Sequence, residues 1–444
     1  MLRQIYFIFA ALLLLMPVMS IGHFALAQSI DLPLPVRVVL AKAYPFMQKK
    51  EFGRAIEVLK KFQARGGPDT EAGQPDPKGY HHPEIYFTIG NCYLLQEQYK
   101  AAESAFRQAV NRDETHTNAW LNLAKAYYEQ GLYADAGHCF GRGYSSAKEK
   151  SAEYLYFSAA AYLMAGDYDR SITLFEQLLT AHPADFKPEW KEHMVHALLA
   201  GGQARRALPY IRELANLYTG DKQIQWQEIL LYQYMQLEMR KEALNLALTL
   251  TRQAPTIDKW WKALAHIYLQ QDRLKEALGA MTIYSFLTPL SPEEQKLLAD
   301  LNLQLGIPVK AAPLYEARLA AESDADKALL TRLVQAYRQL GRPETALELL
   351  DAVPLGAEHT DLMLLKGELL YTLKQYGKAA DVFRQAALNK DKHTGRAWLM
   401  AGYAAWQTNN ITASKTAFKQ AAKYKTEKKA AAAALELLSR ASDE

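Results

Sequence analysis

The chain is poor in cysteine. Among 444 residues there are two, Cys92 and Cys139. A disulfide framework is thereby excluded as the source of stability, which must come from packing. The pair admits one bridge or two buried thiols, and neither cysteine has metal-ligand spacing around it. Long apolar runs are also missing beyond the extreme N-terminus, so no later segment reads as a membrane span. An excess of one charge is lacking too: 52 Lys and Arg face 48 Asp and Glu, a net of +4. The two signs interleave, and no basic stripe argues for nucleic acid. There is no GxSxG elbow, no P-loop, no HExxH, no Rossmann glycine pattern and no Cys–His dyad in a catalytic context. The expectation is a chain that is not an enzyme, with no cofactor, no resident metal and no small-molecule substrate.

The apolar run that does exist is at the start. Arg3 is followed by Ile5 to Met16, broken at Pro17, and Ala25-Leu26-Ala27 places small residues where a signal peptidase reads. Residues 1–27 are expected to be a signal peptide cleaved after Ala27. The alternative is an uncleaved anchor in the inner membrane. No cysteine follows the run, which argues against a lipid-anchored lipoprotein.

What fills the rest is a beat. Gly90, Ala124, Ala159, Val195, Leu231, Ala265, Ala299, Val334, Gly367 and Gly402 occupy one recurring slot, in steps of 33 to 36 residues. A period near 34 marks a solenoid of helix-turn-helix units, each packing on its neighbours. In residues 117–150, Trp120, Leu123, Ala124 and Tyr127 fall at i, i+3, i+4 and i+7, one face of a first helix. Gly131 ends it. Tyr133, Ala136 and Phe140 mark the inner face of a second. Small residues at 124 and 136 allow close approach, and the aromatic residues fill the space between.

These residues resemble the tetratricopeptide repeat family, with its aromatic or Leu, Leu-Gly/Ala, Tyr, Gly-x-Tyr, Ala, Phe, Ala and Pro. Residues 84–116 give Gly90, Tyr93, Tyr99, Ala102, Phe106 and Ala109. Residues 360–393 give Gly367, Tyr376, Ala379, Phe383 and Ala386, and the last unit gives Trp398, Gly402, Phe418 and Ala421. Other units are degenerate, with Pro308 and Pro343 placed where a second helix starts, a position that tolerates proline. The resemblance implies an all-α fold: a right-handed superhelical solenoid of about eleven repeats with a C-terminal capping helix. The expected boundaries are a repeat at 28–62, a Gly/Pro-rich inserted loop at 63–83, the solenoid at 84–425, and a cap and tail at 426–444. Deleting Gly66 to Gly79 is expected to leave the solenoid folded.

In this family, residues three before and one, four and five after the slot face a concave groove. Carried over by position, these are Phe87, Asn91, Leu94, Lys125, Tyr128, Tyr156, His196, Tyr232, Lys262, His266, Tyr371, Tyr403 and Trp406, of which about half are expected to be exposed. Such a groove suits an extended or helical segment of another protein. The family's clamp for a C-terminal carboxylate is absent, because Phe87 stands where a Lys is needed and Lys125 where an Asn is needed. His193 and His196 lie at i, i+3 beside Glu192, a spacing that can hold zinc; solvated or hydrogen-bonded histidines is the other reading, and the favoured one. Asn410-Ile411-Thr412 fits a glycosylation sequon, expected by chance at this length.

The resulting expectation is a periplasmic scaffold that binds protein or peptide segments of the cell envelope. Any membrane association would run through those partners. Long exported arrays of this kind resemble accessory components of TonB–ExbB–ExbD-type transport systems. A component of polysaccharide or lipoprotein export is the alternative.

Overall fold

The computed structural model describes residues 32–66, 76, 78–321, 326–354, 356 and 359–440. Among them there are 23 α-helices and no strand. The segment expected to be a leader, 1–27, lies outside the described residues, as does much of the expected loop. No helix among the described residues is long and apolar enough to cross a membrane.

The chain divides into two compact units, residues 1–237 and 238–444. In the first unit the helices are α1 (Leu34–Gln48), α2 (Phe52–Gln63), α3 (Pro83–Leu95), α4 (Tyr99–Arg112), α5 (Thr117–Glu129), α6 (Tyr133–Ser146), α7 (Ala152–Met164), α8 (Tyr168–Ala181), α9 (Pro188–Ala200), α10 (Ala204–Leu217) and α11 (Gly220–Gln236). The second unit holds α12 (Arg240–Gln253), α13 (Asp258–Gln270), α14 (Leu274–Leu287), α15 (Pro292–Gln304), α16 (Pro308–Ala321), α17 (Lys327–Gln339), α18 (Pro343–Asp351), α19 (Thr360–Thr372), α20 (Tyr376–Ala387), α21 (Thr394–Gln407), α22 (Ile411–Ala421) and α23 (Lys428–Arg440). Each unit is a stack in which a helix packs on the one before and the one after. Pro308 and Pro343 open α16 and α18, where the missing N–H has no intrahelical partner to lose.

Two local rules repeat. The first is the turn inside each pair. Seven residues after the slot the backbone is left-handed: Lys50, Glu97, Gly131, Gly166, Gly202, Glu238, Asp272, Gly306, Gly341, Lys374 and Asn409 all have φ between 54° and 76°. This locates the slot of the first unit at Ala43. At Gly131, with φ of +75°, glycine meets the demand without steric cost. At Glu97 and Lys374 a side chain is held there because the helices on both sides fix the turn.

The second rule is size compensation across the pair. The residue sixteen after the slot packs back toward it. Gly90, Gly367 and Gly402 face Phe106, Phe383 and Phe418, whose rings stand 2.5 Å from where a Cβ on the glycine would be. Ala124 shares its cluster with Phe140, Ala299 with Tyr315, and Val334 with Leu350. Gly and Ala at the slot go with an aromatic ring and Val goes with Leu, which keeps the interior at close-packed density. Twelve residues after the slot stands Ala in most units and Ser in two. Ser171 and Ser414 are fully buried, and their hydroxyls donate to the slot carbonyls of Ala159 and Gly402 at 2.8 and 2.9 Å. The added oxygen is therefore satisfied.

The ends are closed by different means. On α23, Ala431, Ala434 and Leu438 are buried against Phe418 and Ala421 of α22, while Lys428 and Lys429 are exposed. At the other end, the described part of the 63–83 segment is tied to the first pair. Tyr80 packs on Phe62 with ring centroids 5.0 Å apart. Asp76 accepts from the His81 amide at 2.7 Å, and His82 caps α3 by accepting from the Glu84 amide. Gly79 leaves no room for a Cβ against Val36. Deleting Gly66 to Gly79 would remove Asp76 and Gly79 and leave Tyr80 and His82 in the chain.

Candidate functional site

The slot fixes which residues of the first helices share a face, and side-chain pairs join that face from one repeat to the next. In the first unit the Asn122 amide donates to Asn91 at 2.7 Å, from α5 to α3. The Tyr156 hydroxyl and His193 Nδ1 lie 2.9 Å apart between α7 and α9. Lys222 meets Glu192 at 2.6 Å between α11 and α9. In the second unit Lys262 meets Glu294 at 2.7 Å, from α13 to α15. Glu368 on α19 then holds Arg396 of α21 at 2.6 Å and Arg338 of α17 at 3.3 Å. Each unit thus carries a polar ladder of side-chain pairs between its own first helices.

The aromatic groups cluster at the end of the second unit. Tyr371 is half-buried and edge-on to Tyr376, with centroids 5.0 Å apart. Tyr403 and Trp406 are half-buried and both stand edge-on to Phe418, at 5.0 and 6.4 Å. Burial is the first cause that raises the Tyr371 hydroxyl, with Tyr376 adding to it. Tyr371 lies three residues after Glu368 on α19, on the same side of that helix.

The remaining sequence-selected residues divide by exposure. Tyr232 is 47% exposed on α11, and Lys262 and His266 are exposed on α13. The Lys262 ammonium also lies 5.8 Å over the Tyr284 ring. Phe87 is half-buried against Phe106 and His116, at 6.0 and 4.7 Å. Asn91, Lys125, Tyr128 and His196 are half-buried. The Tyr128 hydroxyl is pushed up to about 12 by burial and by Tyr133. Leu94 and Tyr156 fall in the covered part of that face. They are 9% and 6% exposed, Leu94 within the core of its unit and Tyr156 under Trp190, on which it stacks at 4.7 Å. Periodicity assigned them a side, but a neighbouring tryptophan decides whether that side is open.

The histidines have local tasks. His193 bonds Tyr156 and lies 5.8 Å from its ring; burial first, then His196, pushes it down to about 4. Among the described residues no group of three His, Cys, Asp or Glu is placed to hold a metal. Cys92 and Cys139 are free thiols, buried, and raised by that burial to about 12. Asn410 uses its side chain to cap α22, accepting from the Ala413 amide at 3.1 Å.

Models of the tetratricopeptide repeat match residues 93–143, 121–186, 331–393 and 395–428. The chain is a tetratricopeptide-repeat protein. It is 23% identical over 324 residues to tetratricopeptide repeat protein 21A of Mus musculus, covering 68% of this chain and 24% of that protein. The chain thus spans about a quarter of that relative's length. Among solved structures it is similar to a tetratricopeptide repeat protein from Parabacteroides merdae, with 14% identity, 68% of this chain and 98% of that one covered, and a TM-score of 0.31. It is also similar to MamA, at 17% identity, 44% and 92% coverage and a TM-score of 0.32.

Tetratricopeptide repeats imply a scaffold for contact with other proteins, and their fold is typically non-catalytic. Sequence reasoning missed several residues of the ladder in this array. Arg338 and Glu368 sit four and one after their slots, at the very offsets used for the other units, but the degenerate repeat around Val334 hid the first. Asn122 and Arg396 lie two and six before theirs. The even interleaving of charge is also corrected. Residues 374–429 hold twelve Lys or Arg and three Asp or Glu, a net of +9, which leaves the rest of the chain at −5 against the total of +4.

Proposed function

We propose that the chain is exported to the periplasm after cleavage following Ala27 and acts there as a scaffold for proteins of the cell envelope. A partner segment lies along the face of the first helices. In the second unit its apolar side chains meet Tyr371, Tyr403 and Trp406, while Arg338, Glu368 and Arg396 set register. The observation that carries this is the ladder at Glu368, where three successive repeats converge on one carboxylate, three residues before the half-buried Tyr371 on the same helix. Partly desolvated aromatic residues with adjacent arginine are the composition of protein-binding hot spots. The leader-like residues 1–27 support export. A place beside a TonB–ExbB–ExbD-type transport system rests on likeness of overall architecture.

The test is in-cell crosslinking and affinity recovery of the chain from the envelope fraction, read by mass spectrometry, for the wild type and for Tyr403→Ala with Trp406→Ala. Inner-membrane energy-transducing proteins, lost in the double variant, are the expected recovery. Export or glycan-synthesis components would replace the transport placement. Binding of a glycan that depends on Tyr403 and Trp406, with no protein recovered, would overturn the scaffold reading at this face.

A further inference from the structure

The +9 segment is not spread around the second unit. Two turns gather much of it. One joins α20 to α21 and carries Lys390 and Lys392; the other joins α22 to α23 and carries Lys423 and Lys425, with Lys428 and Lys429 following as the first two residues of α23. All six are exposed. The turns adjoin, because a Cβ on Gly395, one residue into α21, would stand 2.7 Å from Tyr424 Cβ and 2.5 Å from Glu427 Oε2. The acids of this rim are occupied. Asp391 accepts from the His393 amide at 2.8 Å, and Glu427 takes the Thr426 hydroxyl. No ion pair among the described residues joins any of the six lysines to a carboxylate. Two apolar side chains stand among them, Leu388 at 63% exposure and Tyr424 at 37%.

We propose that this rim seats the protein directly on an anionic phospholipid surface, the lysines at the headgroup phosphates and Leu388 and Tyr424 at the headgroup–acyl boundary. Three features select that occupant. A cluster of four to eight cations on one exposed surface is drawn to anionic lipid. The six cations are all lysine, compact charges suited to a diffuse array of phosphates, whereas nucleic-acid readout draws on the planar fork of arginine and on stacked aromatic platforms. The two exposed apolar groups lie within the basic rim, as interfacial binding requires. The rest of the chain carries a net charge of −5.

The experiment is co-sedimentation of the full chain with vesicles of phosphatidylcholine alone and of phosphatidylcholine mixed equally with phosphatidylglycerol. Any pull from the apolar N-terminus is common to both vesicles and to all variants. The rim variant carries Lys390, Lys392, Lys423 and Lys425→Gln; its control carries Lys49, Lys100, Lys148 and Lys241→Gln, the same change in net charge on exposed sites of other repeats. Circular dichroism confirms that both fold. Expected are binding to the anionic vesicles only, weakened by salt, a loss of roughly tenfold or more in the rim variant, and a smaller change in the control. Leu388→Ser should lower the bound fraction and leave the salt dependence alone. Equal binding by rim variant and wild type would overturn the proposal, as would equal loss in the control. So would a preference for single-stranded RNA or polyglutamate over anionic vesicles. The protein-recovery test above stands or falls independently, since it depends on Tyr403 and Trp406.

Discussion

Gly90 and Phe106 fit together so closely that the ring Cε1 stands 2.5 Å from the position of a Cβ on the glycine. The same distance recurs at Gly367 with Phe383 and at Gly402 with Phe418. Each glycine is therefore a volume choice, made to admit a phenyl ring from the paired helix. Gly402→Ala should destabilise the second unit by about 1–3 kcal/mol through overpacking. Adding Phe418→Leu should recover part of that loss, because Val334 with Leu350 already uses the smaller combination. Denaturant midpoints of the two single variants and the double variant check this; strict additivity would contradict it.

Acid should loosen the helices around Tyr156. His193 is held neutral, its folded value near 4 against 6.5 when unfolded. A depressed histidine contributes its stability in full above the unfolded value and loses it as pH falls from 6.5 toward 4, up to about 3 kcal/mol. His196 shifts in the same direction by burial. Glu189 partly opposes the shift on His193. His193→Phe, which keeps a ring on Tyr156, should flatten the fall in melting temperature over that window. A fall of equal size in the variant would assign the acid sensitivity elsewhere.

Both thiols should be silent in the native state. Cys92 is 0% and Cys139 3% exposed, each raised to about 12 by burial, so neither thiolate fraction nor access supports attack. A thiol reagent at neutral pH should label neither cysteine until denaturant is added, and then both. Fast native labelling would mean that α3 or α6 opens readily.

Removing the last helix should expose the end of the stack. Phe418 and Ala421 lie under Ala431, Ala434 and Leu438, and arrays need a terminal element with a polar outer face. Leu438→Asp buries a charge at a fully buried site and should cost several kcal/mol. Its unfolding should begin in α21 and α22, seen as early loss of hydrogen-exchange protection there. Retained protection would show that the cap is dispensable.

Much of the fold was legible because one residue per repeat obeys a steric rule. The slot is small wherever the partner ring is large, so the 34-residue beat stands out at Gly90, Ala124 and Gly402. The size partner sixteen residues later was equally present in the sequence, but it shows only when positions are compared in pairs: Gly with Phe, Val with Leu. Exposure was less legible. Tyr156, three before its slot, and Tyr371, four after its own, were both selected, yet Trp190 stacks on the first whereas Tyr376 meets the second only edge-on. Whole-chain charge concealed the basic rim for a simple reason: +9 in one segment and −5 in the rest average to a value close to neutral. The ladder was hidden in part by the degenerate repeat that supplies Arg338.

The central claim is that the face of the first helices binds other proteins. The most direct test places a photo-crosslinking amino acid in turn at Tyr371, Tyr403 and Trp406, and at Lys378 and Lys419 on second helices, and irradiates native cells. Discrete protein adducts from the first three positions, absent from the other two and lost on Arg338→Glu with Arg396→Glu, are the predicted result. Adducts only from Lys378 and Lys419, or none from the aromatic positions in cells where the chain is abundant, would contradict it.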